Sequence, residues 1–448
     1  MTGRRRGSTV EKFVADSSVD KVAGVTLPHP ATPGAPSAEG AKAAEPRVVA
    51  FGTFNVRKHP RVGILIDGLR KNGCVVEEIN RPLMLSTAQR VEILKKPWKL
   101  FSFAWNLLGL WRGLRRDARA WMKRNGRPDA VLVGYMGHFD VLLAHHVFKG
   151  VPIILDHLIF AGDTAKDRGA QGLKVKLLRR LDRMAIDAAT LTLLDTQEHQ
   201  AMCQPGDETM VVPVGAPDEW YAAGAAQNGA TSTIDGNTAI AESNQATSSA
   251  IAAGQTAEAD PAAAQRKPRT NDVVFYGLYT PLQGVPVIAQ AAKELASRGI
   301  TSKFTLIGKG QDYVEVRRIA DGLDNVEFRE WVEPEELPAL VASHAISLGI
   351  FSTTPKGLHV VPNKVYQSMA AGCAVITSDT APQRRMLGDG VVYVKPGDAT
   401  ALADAIERLL ADPAALRAAQ AAAVTAAGSF TDDKITRPLA EWVRAHTR

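Results

Sequence analysis

The residues with the clearest chemical promise lie between Phe351 and Ile376 of this 448-residue chain. A loop carrying Lys356 and Gly357 runs into Pro362, Asn363, Lys364 and Gln367. Proline suits the first turn of a helix, so the spacing predicts a helix opening near Asn363 with Lys364 in its first turn. Backbone N–H groups at such a start, the helix dipole and a lysine together make a seat for a diphosphate. Two earlier stretches have related character. Phe275-Tyr276-Gly277-Leu278-Tyr279-Thr280-Pro281-Leu282-Gln283-Gly284 and Leu306-Ile307-Gly308-Lys309-Gly310 each end an apolar run in a glycine turn, where backbone can approach a ligand closely. Any one of these glycines is more simply a strand-to-helix turn. Three in order within one half of the chain point to an anionic ligand.

In the first half, Gly134-Tyr135-Met136-Gly137-His138-Phe139-Asp140 and Asp156-His157 each follow an apolar run, which sets His138, Asp156 and His157 at strand ends. A lone histidine is as readily a satisfied structural residue as a catalytic one. The basic run Asn55-Val56-Arg57-Lys58-His59-Pro60-Arg61 offers Arg57 and Lys58 to an anionic acceptor, or is a solvated charge run. Asp163 and Asp167-Arg168 line the same region or tie a loop by ion pairing.

The elements that must hold these residues alternate short apolar runs with amphipathic stretches, the pattern of βαβ units around parallel sheets. Strands are expected at Val48–Thr53, Val75–Ile79, Ala130–Val133, Val151–Leu155 and Leu191–Leu194. A second set is expected at Val273–Tyr276, Phe304–Ile307, Val326–Phe328, Ala345–Ile350, Val375–Thr377 and Val391–Val394. The fold class is therefore α/β with two Rossmann-like domains, at 47–221 and 271–430, facing each other across a cleft. Open sheets of this kind bind ligands at the C-terminal ends of their strands. Residues 1–46 and 222–270, rich in Ala, Ser, Gly and Pro or Thr, read as a disordered tail and linker, and 431–448 as a closing helix. The net charge of +6 suits an anionic ligand or an acidic membrane surface, while no recognition motif points to nucleic acid. Three distant cysteines without metal-ligand spacing, and no apolar leader core, favour a cytoplasmic setting.

The run Pro362 to Ile376, together with Asn325-Val326-Glu327-Phe328-Arg329-Glu330-Trp331-Val332 and the Val212-Pro213-Val214-Gly215-Ala216 run, resembles retaining glycosyltransferases of the GT-B fold, family four, also called glycosyl transferases group one. The resemblance implies a nucleotide diphosphate sugar as donor and a hydroxyl acceptor, lipid-linked or glycan, in envelope or exopolysaccharide synthesis. It implies donor contacts from Gly277, Thr280, Gln283, Gly308, Lys309, Val332, Lys356, Gly357, Asn363, Lys364 and Gln367, and catalytic positions at His157, Asp156 and His138. The chain departs from the family at four points, and the first Glu of the family's usual pair has no match, with Lys356 and Gly357 nearby. Gln367 stands where a ribose-gripping Glu is usual, and Leu278 and Gln283 stand where a phosphate Arg and Lys are usual. Lys309, Lys356 and Lys364 are the available substitutes. With no Asp-x-Asp motif, no metal or other cofactor is expected. Two rivals remain: a sugar-nucleotide 2-epimerase of the same fold, and a non-catalytic nucleotide-sugar-binding protein.

The stretch Trp98–Trp121 joins an apolar run, too short to span a bilayer, to several arginines. Such a helix suits the membrane interface and predicts peripheral docking on the inner face of the plasma membrane; a buried helix or a dimer contact is the plainer reading.

Overall fold

Near-continuous apolar runs such as Ala-Val-Leu-Val and Ile-Ile-Leu-Asp have no polar face to show to water, so they become strands covered by helices on both sides. The computed structural model describes residues 45–56, 59–83, 97–134, 137–234 and 269–447, with the backbone alone for 97–102 and 229–234. Arg57, Lys58, the tail up to residue 44 and the segment 235–268 lie outside the described residues.

The first sheet holds β1 (Arg47–Gly52), β2 (Val75–Asn80), β3 (Ala130–Val133), β4 (Ile153–Asp156), β5 (Leu191–Leu194) and β6 (Thr209–Val211), in the order β2-β1-β3-β4-β5-β6. The second holds β7 (Thr270–Tyr276), β8 (Phe304–Ile307), β9 (Val326–Arg329), β10 (His344–Leu348), β11 (Ala374–Ser378) and β12 (Val392–Val394), in the order β12-β11-β10-β7-β8-β9. Every pairing is parallel. The strand order reverses between β1 and β3 in one sheet and between β7 and β10 in the other, and a crevice opens at such a reversal.

Two crossings join the domains. The helix Asp218–Ile234 leaves the first domain and lies on the second: Trp220 stacks on Tyr276 at 5.5 Å, and the Tyr221 hydroxyl donates to Ala427 O at 3.0 Å. A Cβ at Gly224 would stand 2.3 Å from Ala370 O, so only glycine lets these backbones meet. This corrects the expectation of a structureless linker from residue 222. The small residues there belong to a helix whose backbone runs through Ile234. At the far end, the helix Asp432–His446 returns to the first domain, where Asn72 Nδ2 donates to Asp433 O at 2.7 Å. One hydrophobic cluster accordingly runs from Val48 and Leu65 through Trp220 to Tyr276 and Met369.

The helix Pro97–Asn125 turns two of its tryptophans, Trp111 and Trp121, onto the domain. Its stripe Leu107, Leu114, Ala118 and Trp121 is buried at the helical spacing. Trp121 donates to Glu77 at 2.8 Å and lies under Arg47, and Trp111 donates to Asp140 at 2.9 Å. These two rings are spent on the domain and cannot anchor in a membrane. Trp105, 74 % exposed, and Leu108 remain on the outer side with Arg112, Arg115, Arg116 and Arg119. No described helix is long and apolar enough to cross a membrane.

Candidate active site

The second sheet's reversal gathers three of the turns singled out from sequence. After β7 the chain enters Gly277 at φ +140, and after β8 it enters Gly308 at φ +130. A Cβ on Gly308 would fall 1.9 Å from Gly277 O, so the two loops meet backbone to backbone. Beyond β10, Phe351 N donates to Gln283 O at 3.0 Å, which ties the third loop to the first. Thr280 O accepts from Gln283 N at 2.8 Å and closes the turn that presents Gln283.

Lys364 projects into this junction from the helix Asn363–Ala370. Its ammonium donates to Gln283 Oε1 at 2.5 Å and lies 3.7 Å from the centre of the Phe275 ring. The position where a Gly277 Cβ would stand is 3.0 Å from it. The residue is 6 % exposed, and no carboxylate among the described residues pairs with it. Burial therefore holds its pKa well below the usual lysine range. Such a cation beside the two glycine turns, whose own N–H groups are spent on Ile307 O and Arg329 O, is suited to an anion, which would offset the cost of its burial. Gln367, one turn on, is also buried, and its Oε1 accepts from the Tyr276 hydroxyl at 3.4 Å. Asn363 begins the helix, and Val332 is half-buried against the common core.

Other sequence candidates are engaged differently. Lys309 is exposed and bound to both Glu330 oxygens at 2.9 Å, so its charge is matched at the rim. Gly357 N–H donates to Thr354 Oγ1 at 3.2 Å, and Ser352 fills the space of a Cβ, so this backbone serves its own loop rather than standing open to a ligand. Lys356 reaches across to the first domain and donates to Thr164 Oγ1 at 2.6 Å. Burial lowers its pKa to about 8, against the pull of Asp167. Thr196 Oγ1 donates to His359 O at 3.0 Å beside it, so the loop before Lys364 is held by both domains.

Across the cleft, the ends of β3 and β4 bring His138 and His157 to a ring separation of 4.9 Å. Asp182 completes the group: its Oδ1 accepts from His138 Nε2 at 2.9 Å and from Ala161 N at 2.8 Å, and its Oδ2 from Gly162 N at 3.0 Å. Burial pushes the Asp182 pKa up, but the hydrogen bonds from His138 and the two backbone N–H groups hold it below the ordinary value. The His157 ring, 1 % exposed, has no hydrogen-bond partner on either nitrogen, and its Nε2 lies 3.9 Å from Asp182 Oδ1. Burial first, then the nearby His138, lowers its pKa to about 3, so it is neutral near pH 7. His138, His157 and Asp182 place ligand atoms within 4.8 Å of one another, a spacing a metal ion could use.

Asp156 differs from its sequence neighbour and is corrected as a substrate-touching candidate. Its side chain is fully enclosed, with Oδ1 accepting from Arg61 Nε at 2.7 Å. Arg61 donates in addition to Val212 O at 3.0 Å and Pro213 O at 2.9 Å. The pair positions β4 against the Val212–Ala216 run, and Arg61 is not part of an open basic loop. Sequence reasoning missed Asp182 altogether. Its signal was available: it falls on the buried stripe Val175, Asp182, Ala185 and Ile186, where a carboxylate needs a partner. Asp195 and His199, paired at 2.5 Å after β5, were also missed.

Residues 270–412 match the family model described as Glycosyl transferases group 1. An alpha-D-kanosaminyltransferase of Streptomyces kanamyceticus is 27 % identical over 146 residues, 32 % of this chain, and the match spans only 36 % of that relative's length. Among solved structures, sucrose-phosphate synthase of Thermosynechococcus elongatus superposes with a TM-score of 0.60 at 13 % identity, covering 90 % of this chain and 99 % of that one. HepE of Anabaena in complex with UDP-glucose gives 0.55 at 14 % identity, with 90 % and 99 % covered. At these identities the structures speak for the fold alone: two Rossmann-like domains in the GT-B arrangement. Residues 270–412 are thus similar to the Glycosyl transferases group 1 model, and the two domains have the GT-B fold.

Proposed function

We propose that this chain is a glycosyltransferase that moves a sugar from a nucleotide diphosphate sugar to a hydroxyl acceptor with retention at the anomeric carbon. The observation that carries this reading is Lys364, a buried cation without a carboxylate, set among Gly277, Gln283 and the start of its own helix at the second sheet's reversal point. In the reaction the bond from C1 to the diphosphate oxygen breaks and a bond from C1 to the acceptor oxygen forms, while the acceptor hydroxyl gives up its proton. Positive charge grows on the sugar and negative charge on the departing diphosphate. Lys364 and the N–H groups at the Asn363 helix start would stabilise the latter, in place of the usual cation at position 283. Gln367 can hydrogen-bond a ribose diol without the charge of a Glu. His157, neutral and with both nitrogens unpartnered, suits a hydrogen bond to the transferred sugar, and Asp182 holds its neighbour His138 in place. Arg57 and Lys58 remain proposed for the acceptor.

The decisive experiment incubates the pure protein with a panel of nucleotide sugars and follows both nucleoside diphosphate release and 2-epimer formation. Acceptor-stimulated diphosphate release with an α-configured product from an α-configured donor supports the reading. An epimer, or binding with no release for any donor and acceptor, overturns it.

The acceptor is proposed to be lipid-linked or a membrane-proximal glycan, reached from the cytoplasmic face. Trp105 and Leu108 stand exposed beside arginines on the Pro97–Asn125 helix, and Leu173 and Leu177 stand exposed among Lys174, Lys176 and Arg180 on the helix Leu173–Asp187. Apolar side chains with flanking cations suit shallow insertion into an anionic surface. Replacing Trp105 and Leu177 with Ser should abolish pelleting with anionic vesicles at low salt; unchanged pelleting removes these residues from the docking face.

A further inference from the structure

At the opposite end of the first sheet from the cleft, where the chain enters β3 and β4, the outer side of the Pro97–Asn125 helix meets the turn Phe148–Pro152 around a hollow of about 370 Å³. Arg115 and Arg119 come to it from successive turns of the helix, Arg127 from the link into β3, and His146 and Lys149 from the end of the Asp140–Val147 helix. No carboxylate lines it, and none of Arg115, Arg119, Arg127 and Lys149 forms an ion pair among the described residues. Elsewhere on the same surface arginines are matched, as Arg81 is by Asp117 at 2.6 Å and Arg183 by Asp207 at 2.7 Å. Arg127 reaches toward the turn, its guanidinium 3.7 Å from where a Gly150 Cβ would stand. Four unmatched cations around one concavity repel one another, and an anion seated between them removes that cost. A second hollow shares His146, Phe148, Lys149 and Val151 with the first and adds His145, Gly150, Pro152, Ile153 and Thr190, so apolar side chains lie beside the charges.

We infer that this hollow is a binding site for a phosphate-bearing anion, with phosphate oxygens on Arg115, Arg119, Arg127 and Lys149, and an attached apolar or ring portion against Phe148, Val151 and Pro152. Guanidinium groups match phosphate geometry through paired N–H donors. The strand ends that carry the donor and acceptor side chains lie at the other edge of the sheet, so this site is separate from the cleft and does not depend on the transferase reading. A lipid headgroup and a soluble phosphate compound share the required chemistry.

The test uses the full chain and two neutralised pairs: Arg115→Gln with Arg119→Gln inside the hollow, and Lys123→Gln with Arg124→Gln on the same helix outside it. Binding of inorganic pyrophosphate is followed by calorimetry, and binding of vesicles of phosphatidylglycerol in phosphatidylcholine by sedimentation. The hollow pair is expected to weaken pyrophosphate or vesicle binding roughly ten-fold or more, and the outside pair by far less. Pelleting that pyrophosphate competes away assigns the site to a headgroup; pyrophosphate binding without pelleting assigns it to a soluble ligand. Equal losses from the two pairs, or no binding of either probe by the wild type, would overturn the inference.

Discussion

The two sides of the cleft treat buried charge in opposite ways. On the first domain the buried carboxylates have charged or N–H partners: Asp156 Oδ1 is held by Arg61, and Asp182 by His138 and two backbone N–H groups. On the second domain Lys364 is equally buried but has only a neutral amide and an aromatic face beside it. Closed charges fix geometry and ask nothing of a ligand. An open one is a standing cost that an anion relieves, so affinity for the donor should concentrate at Lys364 while the first domain supplies shape and orientation.

The largest effect should come from opening a closed charge. Asp156→Ala leaves Arg61 buried with one of its partners gone, and breaking such a pair costs about 3–5 kcal/mol. Denaturant unfolding should show that loss. A loss below about 1 kcal/mol would mean that water reaches the pair and the contrast with Lys364 is false.

Lys364→Met removes the open charge and should act in the reverse sense. Donor affinity should fall roughly ten- to hundred-fold, the scale of about 1.5–3 kcal/mol for a charge-assisted hydrogen bond, while thermal stability rises or holds. Because burial holds the lysine below its usual pKa, the loss of donor affinity with rising pH should begin below the usual lysine range in the wild type and be absent in Lys364→Met. A variant that is both less stable and unchanged in affinity would make Lys364 a structural residue.

How far this contrast could be read from sequence depends on the range of the contacts. Strand positions were legible because β3 is an uninterrupted apolar run and β5 and β8 are broken by one threonine each, and Lys364 was legible because its loop, proline and helix are contiguous. The Arg61–Asp156 pair joins residues 95 apart, and no local pattern reveals such a partner. The helix Asp218–Ile234 was hidden by its small residues. Ala and Gly suggest a linker when read alone, and become legible only once Gly224 is seen against the Ala370 backbone. Trp121 failed for another reason: tryptophans and arginines were counted as a composition, whereas the stripe Leu107, Leu114, Ala118 and Trp121 at helical spacing would have turned that ring inward.

A smaller effect tests the neutral imidazole on the closed side. His157 titrates near 3 when folded and near the ordinary value of about 6.5 when unfolded, so between those pH values the unfolded chain holds the extra proton. Its contribution to stability is complete above about pH 6.5 and is lost as pH falls toward 3, with a slope of up to about 1.4 kcal/mol per pH unit. His157→Gln should flatten that part of the stability profile while leaving the region above pH 7 parallel to wild type. Parallel profiles throughout would place the proton on His157 in the folded state too.

The smallest effect is expected at Lys309, and it sharpens the comparison most closely because it lies in the same domain as Lys364. Both are lysines beside a glycine turn at a strand end, and sequence alone ranks them together. They differ in partner and exposure. Lys309 sits in water with Glu330 at 2.9 Å, and hydrogen bonding by that carboxylate raises its pKa, whereas burial lowers that of Lys364. A ligand phosphate approaching Lys309 must compete with Glu330 and with solvent, and exposed pairs of this kind contribute little. Lys309→Ala should therefore leave donor affinity within about two-fold of wild type. Glu330→Gln gives the complementary measurement: it frees the Lys309 charge and should leave affinity level or strengthen it slightly. If Lys309→Ala weakens the donor as much as Lys364→Met does, the diphosphate lies toward the rim, and the open charge at Lys364 is not what receives it.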